Sequence, residues 1–178
     1  MKEYSSLISG KTVALVGPAA YMIGSSFGKE IDQCDIVVRI NRSYESVEQH
    51  PEDIGTRTDI LYSCLIEKPA NAGELNLETF LQKGVKHICA PPASNMKGLS
   101  SETKFHNLVN TRKVLEINEK IPVRIVEHQF HNELALKVDC RPNTGFMAIY
   151  DLLRCAPKRL KIFGFSFYLD GFIPGCKE

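Results

Sequence analysis

"KTVALVGPAAYMIGSSFGKEIDQCDIVVRIN", residues 11–41, alternates two kinds of segment and so decides the fold class. Lys11 to Gly17 is an apolar, β-branched run stopped by Gly17 and Pro18. Gly24 to Asp32 can form a short helix, and Cys34 to Ile40 is a second β-rich run. A strand covered on both faces reads as a nearly continuous apolar run, because neither set of alternate side chains meets water. The rhythm continues beyond residue 41. Further strands are predicted over 58–64, 85–90, 121–127 and 160–165, and helices over 73–84, 100–120 and 143–155. Strands alternating with helices predict an α/β domain: a mainly parallel, Rossmann-like sheet with helices on both faces. No internal repeat, low-complexity tract or linker divides residues 1–178, so a single domain is expected.

Composition narrows the function classes. With 178 residues the chain can bury a hydrophobic core without staples, and 43% hydrophobic with 24% charged residues is ordinary for a globular protein. A formal net charge of +1 argues against a non-specific nucleic-acid binder, which should be visibly basic. No apolar run approaches the roughly 20 residues a transmembrane helix needs. The opening "MKEYSSLISGKT" lacks the apolar core of a signal peptide. Six cysteines are scattered singly with no C-x-x-C pair, which fits free thiols in a reducing, cytoplasmic compartment better than a zinc ribbon.

Parallel sheets bind ligands at the carboxyl ends of their strands, so the segments following each strand are the candidates. After the first strand, Gly17, Gly24 and Gly28 follow G-x6-G-x3-G, which is not the dinucleotide fingerprint. Such glycines either bring backbone N–H groups up to a phosphate or simply make turns. After the second strand, where a NAD site would offer an acidic residue, stand Arg39, Asn41 and Arg42. Forked donors and an amide suit a phosphate or a hydrogen-bonded base, although Arg39 could equally pair with Asp32 or Asp53. Asp53, Gly55 and Arg57 read as a turn with an ion pair, either a structural clamp or a ligand contact. Pro142, Asn143, Thr144 and Gly145 open an apolar helix, as an anion site or as a plain cap. His87 falls in a strand pattern and reads as a core or edge residue. His128 and His131, at i and i+3, read as a surface-helix pair. No cysteine or carboxylate pattern completes a metal site with them, and no P-loop or G-x-S-x-G motif occurs.

In order and approximate spacing, "ALVGPAA", "IGSSFGKEID", "VVRIN" and "DIGTRTD" resemble the large motif of glycosyltransferase family 29, the animal-type sialyltransferases. "RPNTGFMAIYDLLRCAPKRLKIFGF" resembles that family's small motif, and the matching stretches span Lys11 to Phe165. The bacterial family 42 sialyltransferases, which share the R-x-N step and a "DFY" comparable to "SFY" at 166–168, are the second resemblance. Family 29 implies a variant GT-A-like fold, CMP-sialic acid or a related CMP-sugar as donor, a glycan hydroxyl as acceptor, inversion at the anomeric carbon, and neither cofactor nor metal. By position, Gly17, Pro18, Ala19 and Asn41 would hold the donor nucleotide together with Asn143, Thr144 and Gly145. Gly24, Ser25, Arg39, Asp53 and Arg57 would support them.

The chain departs from the family at three places. Pro18 stands where the family has a donor-binding Asn, removing an amide and a backbone donor. The catalytic His of an H-x4-E element has no counterpart in "SFYLDGFIPGCKE", so no catalytic residue is assigned. The cysteines of the inter-motif disulfide also lack clear counterparts. A truncated chain, a gene fragment and a degenerate homologue all remain open. So do two other functions: a non-catalytic CMP-sugar-binding module and, less favoured, a Rossmann-type oxidoreductase.

Overall fold

The computed structural model describes residues 2–67, 74–92, 111–166, 169, 171 and 173. Its strands are β1 (Thr12–Val16), β2 (Ile36–Ile40), β3 (Ile60–Tyr62), β4 (His87–Ala90), β5 (Val123–Ile125) and β6 (Arg159–Phe163). Among the described residues they form one sheet in the order β5-β4-β3-β2-β1-β6, and every pairing is parallel. The chain steps outward from β1 to β5, then returns to lay β6 on the other side of β1. The expected α/β parallel sheet is therefore present.

Seven α-helices are described: α1 (Lys2–Ile8), α2 (Gly28–Asp32), α3 (Pro51–Ile54), α4 (Leu77–Gln82), α5 (Thr111–Asn118), α6 (His128–Val138) and α7 (Thr144–Leu153). Alternate strand residues enter different cores, as the two-residue period of a strand requires. Val13, Leu15, Val38, Ile40, Ile60 and Tyr62 pack with Tyr4 and Ile8 of α1, Leu134 of α6, and Met147 and Leu152 of α7. Ala14, Val16 and Val37 face the other way, against Ile31 of α2 and Ile54 of α3. Leu61, Ile88 and Ala90 meet Phe80 of α4 and Ile117 of α5. Helices thus cover both faces. Burial on both faces holds for the four inner strands but not for the edges: Ile125 of β5 and Ile162 of β6 are exposed.

Four segments differ from the sequence expectation. Residues 24–32 are helical only from Gly28, residues 41–48 form a 3-10 helix, and α1 and α3 were not expected at all. The short ones carry too few periodic apolar residues to announce themselves. Of the helix expected over 100–120, residues 100–110 lie outside the described residues.

Candidate functional site

The carboxyl ends of β1, β2, β3, β4 and β6 open into a cleft of about 750 Å³. Pro18 and Ala19 enter from β1, Asn41 from β2, Cys64 from beyond β3, Pro91 from β4, and Phe165 from β6. The segment before α7 and the first turn of α7 form the facing wall. Six of the seven residues expected to hold a nucleotide line this one cleft: Pro18, Ala19, Asn41, Asn143, Thr144 and Gly145. They come from sequence positions more than 100 residues apart. Arg42 and Arg141 also line it, and no carboxylate does among the described residues.

Asn41 is built in by its backbone as well as its side chain. Its φ is +45°, a left-handed value that Asn tolerates better than most residues. Its Oδ1 accepts the Cys64 N–H at 3.1 Å, tying the exit of β2 to that of β3. The amide NH2 is left as a donor in the cleft. Beside it, Ser43 Oγ accepts the Ile40 N–H at 2.9 Å and donates to Val16 O at 3.4 Å, fixing the exits of β1 and β2 together. Arg42 is held by Glu45 at 2.8 Å. Burial pushes the Cys64 thiol up, so this cleft cysteine stays protonated at neutral pH.

Of the two readings open for the glycines after β1, phosphate cradle or turn, the hydrogen bonds at Gly17 favour the turn. Gly17 N–H donates to Phe163 O at 2.8 Å, Ala19 N–H to Gly164 O at 3.1 Å and Ala20 N–H to Gly171 O at 2.9 Å, while Pro18 has no N–H. These donors are consumed by the β1–β6 side of the fold. Gly17 lies beneath the cleft instead of lining it. A Cβ there would stand 2.4 Å from Gly164 O and 2.9 Å from the Phe165 ring. A Cβ on Gly145 would stand 2.8 Å from the other edge of the same ring. Gly17 and Gly145 are therefore glycine because Phe165 packs against both.

The free donors sit at α7. Asn143 caps the helix, its Oδ1 accepting the Phe146 N–H at 2.8 Å while its carbonyl accepts the Met147 N–H at 3.0 Å. The N–H groups of Thr144 and Gly145 make no hydrogen bond among the described residues, and both residues line the cleft. Capping and anion binding were alternatives in the sequence. The structure shows the cap, and it leaves two N–H groups and the positive end of a ten-residue helix facing the cleft.

The supporting residues are scaffold, and their partners differ from those expected. Arg39 is fully buried and pairs with neither Asp32 nor Asp53. It donates to the carbonyls of Ile54 (2.7 Å), Gly55 (3.3 Å) and Arg57 (2.9 Å) and to Thr58 Oγ1 (3.1 Å), because the loop after α3 turns its carbonyls inward. Asp53 and Arg57 form no pair. Asp53 Oδ1 accepts the Ser26 N–H at 3.0 Å, and Ser25 Oγ donates to Asp53 O at 3.3 Å, so the Gly24–Ser25 turn is anchored outside the cleft. Backbone hydrogen bonds from Gly24 and Ser26 lower the Asp53 pKa. Arg57 instead bonds Asp59 at 2.8 Å and the carbonyls of Asp32, Cys34 and Asp35. Asp32 in turn accepts the N–H groups of Thr56 and Arg57.

His131 corrects the surface-helix reading. It is buried, and its Nε2 has no partner among the described residues, whereas His128 is exposed. The two do not form a metal pair, and no metal-binding cluster occurs among the described residues. Behind the sheet, fully buried Asp151 accepts from Tyr62 (2.6 Å), Arg124 (2.6 Å) and Arg154 (2.8 Å). Burial pushes the Asp151 pKa up, but the hydrogen bonds and charge of Arg124 outweigh it and hold it below the usual carboxylate value. Sequence reasoning missed Asp151, Phe165 and Arg141. The available signals were a lone acid in an apolar helix and an arginine two residues before an N-cap.

No described helix is long and apolar enough to cross a membrane. The model of a family described as glycosyltransferase family 29 (sialyltransferase) matches residues 8–170. The structure of a mammalian sialyltransferase is similar at a TM-score of 0.61 and 17% identity, over 94% of this chain and 60% of that one. A mammalian sialyltransferase in complex with Gal-beta-1-3GalNAc-ortho-nitrophenol gives 0.60 and 18%, over 96% and 64%. The chain thus spans under two thirds of the length of either protein, and at these identities the likeness carries the fold. A sequence search of curated proteins gives no match.

Proposed function

Since the chain belongs to glycosyltransferase family 29, the sialyltransferases, we propose that its cleft binds the nucleotide of a CMP-sugar donor, CMP-sialic acid or a related CMP-linked sugar, for transfer to a glycan hydroxyl. One observation carries the reading: residues of the large and small motifs, separate in sequence, meet in one cleft that no carboxylate lines among the described residues, where the Asn41 amide and the Thr144 and Gly145 N–H groups are donors. Asn41, Asn143, Thr144 and Gly145 are the proposed contacts. Pro18 and Ala19 supply apolar wall, and Gly17 acts through Phe165. Thr144 and Gly145 N–H groups at the helix N-terminus suit a phosphate.

In the proposed reaction the acceptor oxygen attacks the anomeric carbon, the bond from that carbon to the phosphate oxygen breaks, and CMP leaves with inversion. A base takes the hydroxyl proton. The positive donors stabilise the leaving phosphate without a metal. A cytoplasmic setting is part of the proposal, supported by the free cysteines Cys34, Cys64, Cys89, Cys140 and Cys155. A second reading, one CMP-sugar-binding domain without turnover, draws on the lack of any histidine among the cleft-lining residues described. Calorimetric titration with CMP, CMP-sialic acid and NAD, on wild type and Asn41→Ala, tests the proposal. CMP should bind, weaken in the variant, and compete with the donor. Absence of CMP binding refutes both readings, whereas binding with no transfer to any glycan selects the second.

A further inference from the structure

Two cations line the cleft and they differ in availability. Arg42 is engaged by Glu45, whose carboxylate lies 2.8 Å away. Arg141 is exposed and makes no ion pair or hydrogen bond among the described residues. Its backbone is set from both sides. Asp139, with φ of +51°, stops α6, and Pro142 is buried. A following proline holds Arg141 out of the helical region, so its direction is preset and less order must be imposed on binding. Arg141 also sits two residues before the α7 cap, Asn143, and its charge reaches Cys64, whose pKa it lowers against the dominant effect of burial, and His131, whose pKa it lowers in the same direction as burial. A guanidinium on open surface is solvated on all sides. This one borders a concave cleft lined by no carboxylate among the described residues, where a forked donor matches an oxyanion.

We propose that Arg141 is the anion-holding residue of this cleft, its guanidinium taking an oxyanion of the bound ligand, the phosphate or a sugar carboxylate. This rests on the nucleotide-sugar reading above and adds a residue that the motif comparison did not supply. Three cytidine ligands separate the two oxyanions: CMP, the methyl phosphodiester of CMP, and the hydrolysis-resistant 3-fluoro analogue of CMP-sialic acid. Each is titrated into wild type, Arg141→Gln and Arg141→Lys, with thermal melting as a folding control.

A charge-assisted contact predicts a loss of roughly tenfold to a hundredfold in Arg141→Gln, partly restored in Arg141→Lys. Melting temperature should stay unchanged, because Arg141 makes no ion pair or hydrogen bond among the described residues. The affinity gap should narrow at high salt. A loss shared by all three ligands assigns the phosphate, and a loss confined to the fluoro analogue assigns the carboxylate. Wild-type binding of CMP with no loss in Arg141→Gln overturns the proposal and leaves the nucleotide reading standing. Absence of any cytidine ligand binding to wild type overturns both.

Discussion

Asn41 does two jobs with two ends of one amide, and substitution can separate them. Its Oδ1 holds the Cys64 N–H at 3.1 Å, and its NH2 faces the cleft. Asn41→Asp keeps an acceptor for Cys64 and tolerates the left-handed backbone, so stability should change by no more than about 0.5 kcal/mol. The same change replaces the cleft donor with a carboxylate, in a cleft that no other carboxylate lines among the described residues. CMP affinity should fall more than tenfold, since a lost hydrogen bond and a like-charge approach act together. Asn41→Ala does the reverse in proportion. It loses the Cys64 hydrogen bond, worth about 1 kcal/mol, and places an alanine at φ of +45°, costing about 1 kcal/mol more. At this chain length about 2 kcal/mol lowers the melting temperature by roughly 4–8 °C. Thermal melts and CMP calorimetry on the two variants read both jobs. An Asn41→Asp protein that binds CMP as tightly as wild type would refute the ligand contact. One that melts as low as Asn41→Ala would refute the Cys64 tie.

Gly17→Ala should destabilise by about 2–4 kcal/mol, because its Cβ meets the Gly164 carbonyl, whereas Gly145→Ala meets only a ring edge of Phe165 and should cost about 1 kcal/mol; urea melts giving the opposite order would exclude this packing account. Asp151, with a folded pKa below its unfolded value, contributes stability at neutral pH that is lost as pH falls through that folded value. Asp151→Asn should cost about 3–5 kcal/mol at pH 7 by leaving Arg124 and Arg154 without their shared carboxylate, and should flatten the acid limb of the stability–pH curve. For His131, burial, then the charges of Arg141 and His128, keep the imidazole neutral, so stability should decline as pH drops below about 6.5. His131→Leu should remove that decline and be neutral or stabilising at pH 7, because it replaces a buried Nε2 that has no partner among the described residues; a large loss of stability at pH 7 would refute this account of Nε2.

The strands were readable because burial on both faces writes itself into consecutive residues, as in Ile36 to Ile40. The small motif was readable for a similar reason: capping chemistry is local, and Asn143 caps Phe146 three residues on. What was left open or misread depends on partners far along the chain. In the sequence Gly17 reads either as part of a phosphate cradle or as a turn, and what decides is that its N–H goes to Phe163 and its missing Cβ accommodates Gly164 and Phe165, almost 150 positions later. Arg39 looked like half of a salt bridge, yet its acceptors are carbonyls whose direction is set by the turn after α3. His131 looked exposed because its spacing to His128 says nothing about which face of α6 meets the sheet.

By itself the sequence determined the α/β alternation, the parallel sheet and the residue set of the two motifs. Propensity, periodicity and capping act over a few neighbouring residues and survive in any window of the chain. Only the tertiary structure decided that β6 returns beside β1, and that six of the expected residues face one cleft. It also decided which donors the backbone consumes, and that Arg141 lines the cleft with no partner among the described residues. Those outcomes turn on hydrogen bonds and contacts between segments more than 100 residues apart, and no local signal carries them.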